Sequence, residues 1–299
     1  KSIKKIKIKH PLILIVSARL LELQMKKLRI KKKINILNNQ DLLKFKYQKN
    51  YINIYNVNYA PKTAFEKSST LSNQYLKNCF ELSFNILKKY KIKKFINGPI
   101  VKKTFLRKKY FGITEYISKK FKAKKNAMLI YNKNMSVCPV TTHVPLKSVT
   151  GKINKKVIIE KIKLIDQFYK KKFKIKPKVA VLGLNPHCES INKFNEDEKI
   201  VKPAIKFLKN RNFRVSGPHS ADTIFLRQNR SNYDVILGMY HDQVLTPIKT
   251  IFEYDAINIT LGLPFIRISP DHGPNQKMVG KNISNPLSLI RAIEFLDKN

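Results

Sequence analysis

Short apolar runs alternate with amphipathic stretches along almost the whole chain, and this alternation limits the possible folds more than any other feature. The apolar runs predict strands at 11–17, 33–38, 94–97, 127–131, 178–184, 233–239 and 257–261. Helical periodicity predicts helices at 18–28, 71–90, 152–171, 197–211 and 286–297. In the last of these, Asn285 is the expected N-cap and Pro286 the first helical residue. Strands and helices in alternation predict an α/β fold with a mostly parallel sheet.

Length and charge bound the class of protein. The 299 residues suffice for one large domain or two α/β lobes. A net charge of +42 allows an anionic partner, but lysines are scattered through nearly every segment alongside Ile and Asn. This distribution favours compositional drift over a selected basic surface. A nucleic-acid-binding role stays an alternative, although no helix-turn-helix or aromatic-basic motif supports it.

Cysteine usage and hydropathy indicate a cytoplasmic protein without a membrane segment. Cys79, Cys138 and Cys188 form no C-x-x-C pair, and an odd number gives no complete disulfide framework. The basic opening followed by apolar residues imitates a signal peptide, but the apolar run at 11–16 is short. A buried strand is expected there instead. No run approaches the ~18 to 20 apolar residues of a membrane span.

Three of the six histidines follow apolar runs in the same way. His143 ends "VCPVTTH", His187 ends "VAVLGLNPH" and His241 ends "VILGMYH". A single histidine near a strand end is usually structural. Three of them, each beside Thr, Asn or Asp able to orient an imidazole, fit a divalent metal site with an open position. Asp242 is a candidate partner for an imidazole, or equally a loop cap.

Candidate anion-binding residues come soon after the third histidine. Lys249, Asn258 and Arg267 follow His241 by 8, 17 and 26 residues. Lysine supplies a point charge and arginine a planar fork, the usual pair for phosphate or carboxylate. Arg267 stands out because it lies within the largely apolar "LGLPFIRIS", where an unpaired charge would be costly.

The sequence contains no G-x-G-x-x-G, no P-loop and no G-x-S-x-G elbow, so dinucleotide binding by a Rossmann fingerprint is not supported. A zinc hydrolase using the same histidines is chemically conceivable, but no carboxylate base is evident beside them.

Several longer motifs follow one another along the chain: "INGPI", "TTHVPL", "LGLNPHCES", "GPHSADTIF", "GMYHDQVLTPIKT" and "INITLGLPFIRISPDHG". In content and in order they resemble the 4-hydroxythreonine-4-phosphate dehydrogenase family of vitamin B6 (pyridoxal 5'-phosphate) biosynthesis. The resemblance implies an oxidoreductase with two α/β/α lobes, similar to isocitrate and isopropylmalate dehydrogenases, and an active-site cleft between the lobes. We expect a first lobe of 1–112 plus 276–299 and a second lobe of 113–275.

The resemblance also implies the chemistry and its residues. The family oxidises 4-phosphooxy-L-threonine with NAD, and the product loses carbon dioxide to give 3-amino-2-oxopropyl phosphate. Carried over by motif, a divalent ion (Zn, Mg or Co) would bind His143, His187 and His241. The phosphorylated substrate would bind Thr114, Lys249, Asn258 and Arg267. The family is homodimeric and shares metal ligands between partner chains. No nicotinamide-contacting residue is assigned. Asp271, His272 and Gly273 are candidates for the cleft or equally for a structural turn, and they are left outside the catalytic set.

Three departures from the family pattern bear on function. The histidine that precedes the motif threonine is Ile113 here, which allows a related dehydrogenase acting on another phosphorylated hydroxy acid. The glycine-rich continuation after Asn-Pro-His is "CESINKF". The family's opening strand and its glycine-rich loop do not precede Lys1, so we expect the sequence to begin inside the first lobe.

Overall fold

A computed structural model of the chain describes residues 2, 6, 8–37, 42–101, 105–106, 110, 112–189 and 194–298. The chain forms two compact units, one of 1–94, 99–109 and 272–299 and the other of 95–98 and 110–271. The lobe limits expected from the sequence stay a prediction. No helix in the described residues is long and apolar enough to cross a membrane.

The first unit is built on a small parallel sheet. Its strands are β1 (Ile13–Val16), β2 (Ile34–Leu37) and β3 (Ile52–Asn56), in the order β1-β3-β2. Helices α1 (Ala18–Lys27) and α2 (Thr70–Lys89) follow β1 and β3. Ser17 caps α1 by accepting a hydrogen bond from the Leu20 N–H at 3.2 Å. The predicted strand at 11–17 is thus confirmed, although its residues are only half-buried.

The second unit carries the larger sheet. Its strands are β4 (Lys94–Ile96), β5 (Ala127–Asn132), β6 (Met135–Pro139), β7 (Val179–Leu182), β8 (Val215–His219), β9 (Val235–Gly238), β10 (Ile257–Leu261) and β11 (Ile266–Pro270). Their order is β4-β11-β10-β5-β6-β9-β7-β8. Strands β6, β9, β7 and β8 pair in parallel, whereas β6-β5, β5-β10 and β10-β11 are antiparallel.

The helices of the second unit are α3 (Ile113–Lys120), α4 (Lys155–Phe173), α5 (Lys202–Lys209), α6 (Ala221–Ile224), α7 (Arg227–Arg230) and α8 (His241–Phe252). Helix α4 begins after Asn154, whose side chain accepts from the Val157 N–H at 3.0 Å. Its buried residues recur at helical spacing: Ile158, Ile162, Ile165 and Tyr169. The central strands contribute to a buried core cluster, which includes Ile130, Val137, Leu182 and Ile236.

Helix α9 (Leu287–Asp297) ends the first unit, and it begins one residue later than predicted. The sequence predicted Asn285 as the N-cap, but the N-cap residue is Pro286. The side-chain oxygen of Asn285 still accepts a hydrogen bond from the Leu287 N–H at 2.9 Å. The predicted helix at 197–211 begins as a π-helical turn, Asp197–Val201, before α5. The small sheet is parallel throughout, and the larger sheet combines a parallel half with an antiparallel half. Over both sheets parallel pairings are the more numerous of those described, and the predicted α/β class is confirmed.

Candidate functional site

The three histidines singled out by the sequence follow three neighbouring parallel strands. His143 comes four residues after β6, His241 three residues after β9 and His187 five residues after β7. Strand β9 lies between β6 and β7 and is parallel to both. The three histidines therefore leave the sheet at its carboxyl edge, where open α/β sheets bind their ligands.

Two of these histidines lie side by side. The ring centroids of His143 and His241 are 5.8 Å apart, with 40° between the ring planes. Nδ1 of His241 is 2.6 Å from Oδ1 of Asp242, so this carboxylate orients the imidazole. Neutral imidazoles on adjacent loops are the donor type that divalent transition ions prefer.

His187 is exposed and has a left-handed backbone, with φ of 54°. The buried Asp197 anchors the loop that carries His187. Its carboxylate accepts hydrogen bonds from the N–H groups of Leu184, at 2.6 Å, and Asn185, at 3.0 Å. Among the residues that the structure describes, no three His, Cys, Asp or Glu side chains converge as a metal site. Binding of one ion by all three histidines stays a prediction.

Arg267 forms the polar centre of the β10-β11 pair. It is only 3% exposed, and its Nε donates to Asn97 Oδ1 at 2.8 Å. Its Nη1 lies 2.9 Å from Oγ1 of Thr260, the residue opposite it on β10, and 3.4 Å from Oγ1 of Thr114. Burial lowers the pKa of Arg267 to about 10, and the nearby Glu115 carboxylate opposes that shift. The guanidinium stays charged at neutral pH.

The N-terminus of α3 connects this arginine to the histidines. Gly112 precedes the helix, and a Cβ placed on it would lie 3.6 Å from the His143 ring and 2.7 Å from Glu115 Oε2. Thr114 is in the first turn and contacts Arg267, whereas Ile113 is only 7% exposed and packs inward. His241, His143, the start of α3 and Arg267 are thus successive neighbours in one candidate site.

Two polar atoms near Arg267 are buried without a hydrogen-bond partner within the described part of the chain. They are Oδ1 of Asn258 and Oε2 of Glu115. Asn258 shares a strand face with Thr260, two residues along β10, and lies opposite Ser269. Buried polar atoms are normally paired, so an unpaired amide oxygen beside a buried arginine is typical of a ligand site.

Lys249 lies on α8, two helical turns beyond His241 and about 12 Å along the helix axis. No helix was predicted from the sequence over these residues, but α8 runs from His241 to Phe252 and continues through Pro247. The Lys249 ammonium is 2.5 Å from Oδ2 of the buried Asp271 and also donates to that residue's backbone carbonyl. Because Asp271 directly follows β11, Lys249 lies at the same end of the β10-β11 pair as Asn258.

Several residues of this site were not among the sequence-based candidates. These are Asn97, Thr260 and Glu115, which surround Arg267. Asp271, which the sequence named but left outside the catalytic set, holds Lys249. Asn97 was part of the quoted "INGPI" motif, but no spacing rule connects it to Arg267. His272, also left unassigned, is exposed, and its Nδ1 lies 3.1 Å from the Gly273 carbonyl.

Fold and site together define an α/β protein with imidazoles after the ends of parallel strands and a buried arginine held by neutral side chains. The family model of the pyridoxal phosphate biosynthetic protein PdxA matches residues 7–296, and the chain belongs to this family.

Individual relatives agree with this assignment. A 4-hydroxythreonine-4-phosphate dehydrogenase from Sulfurihydrogenibium sp. is 40% identical over 248 residues, which are 82% of this chain and 75% of that protein. A D-threonate 4-phosphate dehydrogenase from Pectobacterium atrosepticum is 35% identical over 187 residues, 62% of this chain and 57% of that protein. A crystal structure of the 4-hydroxythreonine-4-phosphate dehydrogenase from Klebsiella pneumoniae superposes with a TM-score of 0.82 at 25% identity, covering 97% of this chain and 88% of that one.

Proposed function

We propose that this chain oxidises 4-phosphooxy-L-threonine with NAD and releases carbon dioxide to form 3-amino-2-oxopropyl phosphate, a step of vitamin B6 biosynthesis. The observation that carries the proposal is the buried Arg267, held by Asn97, Thr114 and Thr260 in the same unit as the three histidines. A buried cation with an adjacent unpaired amide oxygen, on Asn258, suits a small anionic substrate.

In this proposal the substrate is held by Thr114, Lys249, Asn258 and Arg267. Arg267 offers a planar fork whose orientation is fixed by its protein partners, whereas Lys249 offers a flexible point charge. Lys249 is paired with Asp271 here, and a phosphate oxygen would share or replace that contact. The two cations thus lie on different elements, β11 and α8, and would hold different parts of the substrate.

His143, His187 and His241 would hold a divalent ion such as Zn, Mg or Co. When bound, such an ion lowers the pKa of a coordinated hydroxyl and polarises the carbonyl that forms from it. The role of the chain is to present the three imidazoles, and Asp242 orients that of His241.

The reaction balances without any further reagent. NAD accepts a hydride from the alcohol carbon. The hydroxyl proton is released, and the resulting β-keto acid loses carbon dioxide and takes up a proton on carbon. The dehydrogenase names of the relatives support an NAD-type cofactor.

A homodimer would complete the metal site. His143 and His241 of one chain are adjacent, whereas His187 belongs to a separate exposed loop. Sharing between two copies would let His187 of one chain join the histidine pair of the other. The free thiols of Cys79, Cys138 and Cys188 suit a reducing cytoplasm, where we place the reaction.

A second candidate substrate is another phosphorylated hydroxy acid, such as D-threonate 4-phosphate. Ile113 favours this alternative, because this buried isoleucine replaces the histidine of the family motif that precedes Thr114, a proposed substrate-binding residue. The Pectobacterium relative shows that a dehydrogenase similar to this chain is named for that compound.

The test is NADH formation by the full-length protein, with and without added divalent metal, from each of the two substrates. We expect metal-dependent NADH from 4-phosphooxy-L-threonine, lost in His241→Ala and kept in His10→Ala, a matched change at an exposed histidine of the first unit. NADH from D-threonate 4-phosphate alone would establish the second candidate. If the Ile113→His variant then produced NADH from 4-phosphooxy-L-threonine instead, residue 113 would determine which of the two substrates is used.

A further inference from the structure

The side chain of Gln243 bridges two of the strand ends that carry histidines. Its Oε1 accepts a hydrogen bond from the backbone N–H of Met239 at 2.7 Å. Its Nε2 donates to the backbone carbonyl of Gly183 at 2.8 Å. Met239 follows β9 and leads to His241, and Gly183 follows β7 and leads to His187. One amide therefore joins the loops of two candidate ligands.

The third loop is joined to the same peptide. The carbonyl of Met239 accepts from both the backbone N–H of Thr141, at 3.1 Å, and its hydroxyl, at 2.8 Å. Thr141 lies two residues before His143, and it is buried. Thr141, Met239, Gln243 and Gly183 form what we call the strand-end clamp, and it connects all three histidine-bearing loops.

The local sequence leaves room for this clamp. A Cβ on Gly238 would lie 2.9 Å from the Gln243 amide oxygen and 2.4 Å from the Val244 side chain. A Cβ on Gly183 would lie 2.7 Å from Cys188 Sγ and 3.1 Å from Asp197 Oδ1. A side chain at position 238 would therefore press on the bridging amide of Gln243, whereas one at position 183 would clash with Cys188 and Asp197 in the loop that carries His187.

We propose that Gln243 is a positioning residue that fixes the three histidine loops of one chain relative to one another, and so fixes where each chain presents its ligands to a metal site shared between two copies. This inference rests on the proposed function. Gln243 acts through the Met239 and Gly183 peptides and needs no contact with substrate or ion. Glutamine fits the role because one amide group both donates and accepts, which neither a carboxylate nor an apolar side chain does.

The test compares Gln243→Met, which keeps the length and removes both hydrogen bonds, with Gln228→Met, the same change at an exposed glutamine of α7. Each full-length protein is titrated with Co²⁺, whose visible absorption reports the number and geometry of its ligands. We expect a roughly 10–100-fold higher Co²⁺ dissociation constant and an altered spectrum for Gln243→Met, as for other residues that orient metal ligands. Gln228→Met should match the wild type.

Outcomes separate this inference from the proposed function. A wild type that binds Co²⁺ while a folded Gln243→Met binds it equally, with the same spectrum, overturns the role of Gln243 alone. A wild type that binds no Co²⁺ overturns the metal site and the positioning role with it. If Gln243→Met does not fold, Gln243→Glu replaces it. That variant keeps the acceptor for Met239 but sets an oxygen against the Gly183 carbonyl, so unchanged Co²⁺ binding there would equally contradict the proposal.

Discussion

Nη1 of Arg267 lies 3.4 Å from Oγ1 of Thr114, so a buried guanidinium on β11 meets the first turn of α3. The same guanidinium is held by Asn97 and Thr260. Three neutral oxygens orient this cation, and the nearby Glu115 carboxylate helps to keep it protonated. The hydrogen bonds fix the direction from which an anionic ligand could meet the guanidinium.

We predict that Arg267→Lys raises KM for the phosphorylated substrate about 10–100-fold, because an ammonium cannot reproduce the fork that Asn97 and Thr260 orient. The loss corresponds to about 1.5–3 kcal/mol, as for hydrogen bonds to charged groups. Steady-state kinetics measure it. Arg291→Lys, at an exposed ion pair on α9, is the control and should leave KM unchanged. An equal KM in both variants would remove Arg267 from the substrate site.

Lys249 pairs with Asp271 and is also proposed to bind the substrate phosphate, and a double substitution separates these two roles. Lys249→Met leaves the Asp271 carboxylate buried without its ammonium, and we expect a loss of about 1–3 kcal/mol in the free energy of unfolding. Adding Asp271→Asn should restore most of this stability but not the KM, because the phosphate contact is still missing. Urea denaturation and steady-state kinetics measure the two effects. A double variant with wild-type KM would mean that Lys249 only stabilises the fold.

Subunit mixing tests whether the metal site is shared. His187→Ala and His241→Ala should each be inactive alone. If His187 joins the His143–His241 pair of another copy, a mixed dimer regains one complete site, and random exchange should restore about a quarter of the wild-type activity. His143→Ala mixed with His241→Ala is the control, because those two histidines are adjacent in one chain and no complete site can form. Equal recovery in both mixtures would contradict the arrangement.

The positions of the histidines could be predicted because they depend on local order. The apolar residues of β9 and β7 are buried, and a side chain that follows a parallel strand leaves at the carboxyl edge. The burial of Arg267 agrees with the apolar run in which it lies, whereas its binding of an anion stays a prediction.

The partners of these residues could not be predicted in this way. Asn97 is 170 residues from Arg267, and the two meet only because β4 lies beside β11 in the sheet. Helix α8 was missed because Pro247 usually ends a helix. Strand β6 was missed because it ends in Pro139 and follows β5 after only two residues. Strand order and the tolerance of a proline are set by tertiary packing, which no window of sequence contains.

His219, at the end of β8, is a partly buried histidine whose protonation bears on the stability of the fold in acid. Its Nε2 lies 2.8 Å from Ser216 Oγ and 3.3 Å from Tyr233 Oη. Burial, aided by the positive charge of Lys209, lowers the pKa of His219 below its ordinary value of 6.5. The folded chain therefore binds fewer protons here than the unfolded chain, and its stability rises with pH through this window. The contribution is complete above the unfolded pKa of 6.5 and is lost as the pH falls toward the lower folded pKa.

We expect the urea midpoint of the wild type to fall more between about pH 7 and pH 5 than that of His219→Gln, which does not titrate. His272→Gln, at an exposed histidine, should behave as the wild type. Identical pH profiles for wild type and His219→Gln would show that this histidine does not contribute to the acid sensitivity of the fold.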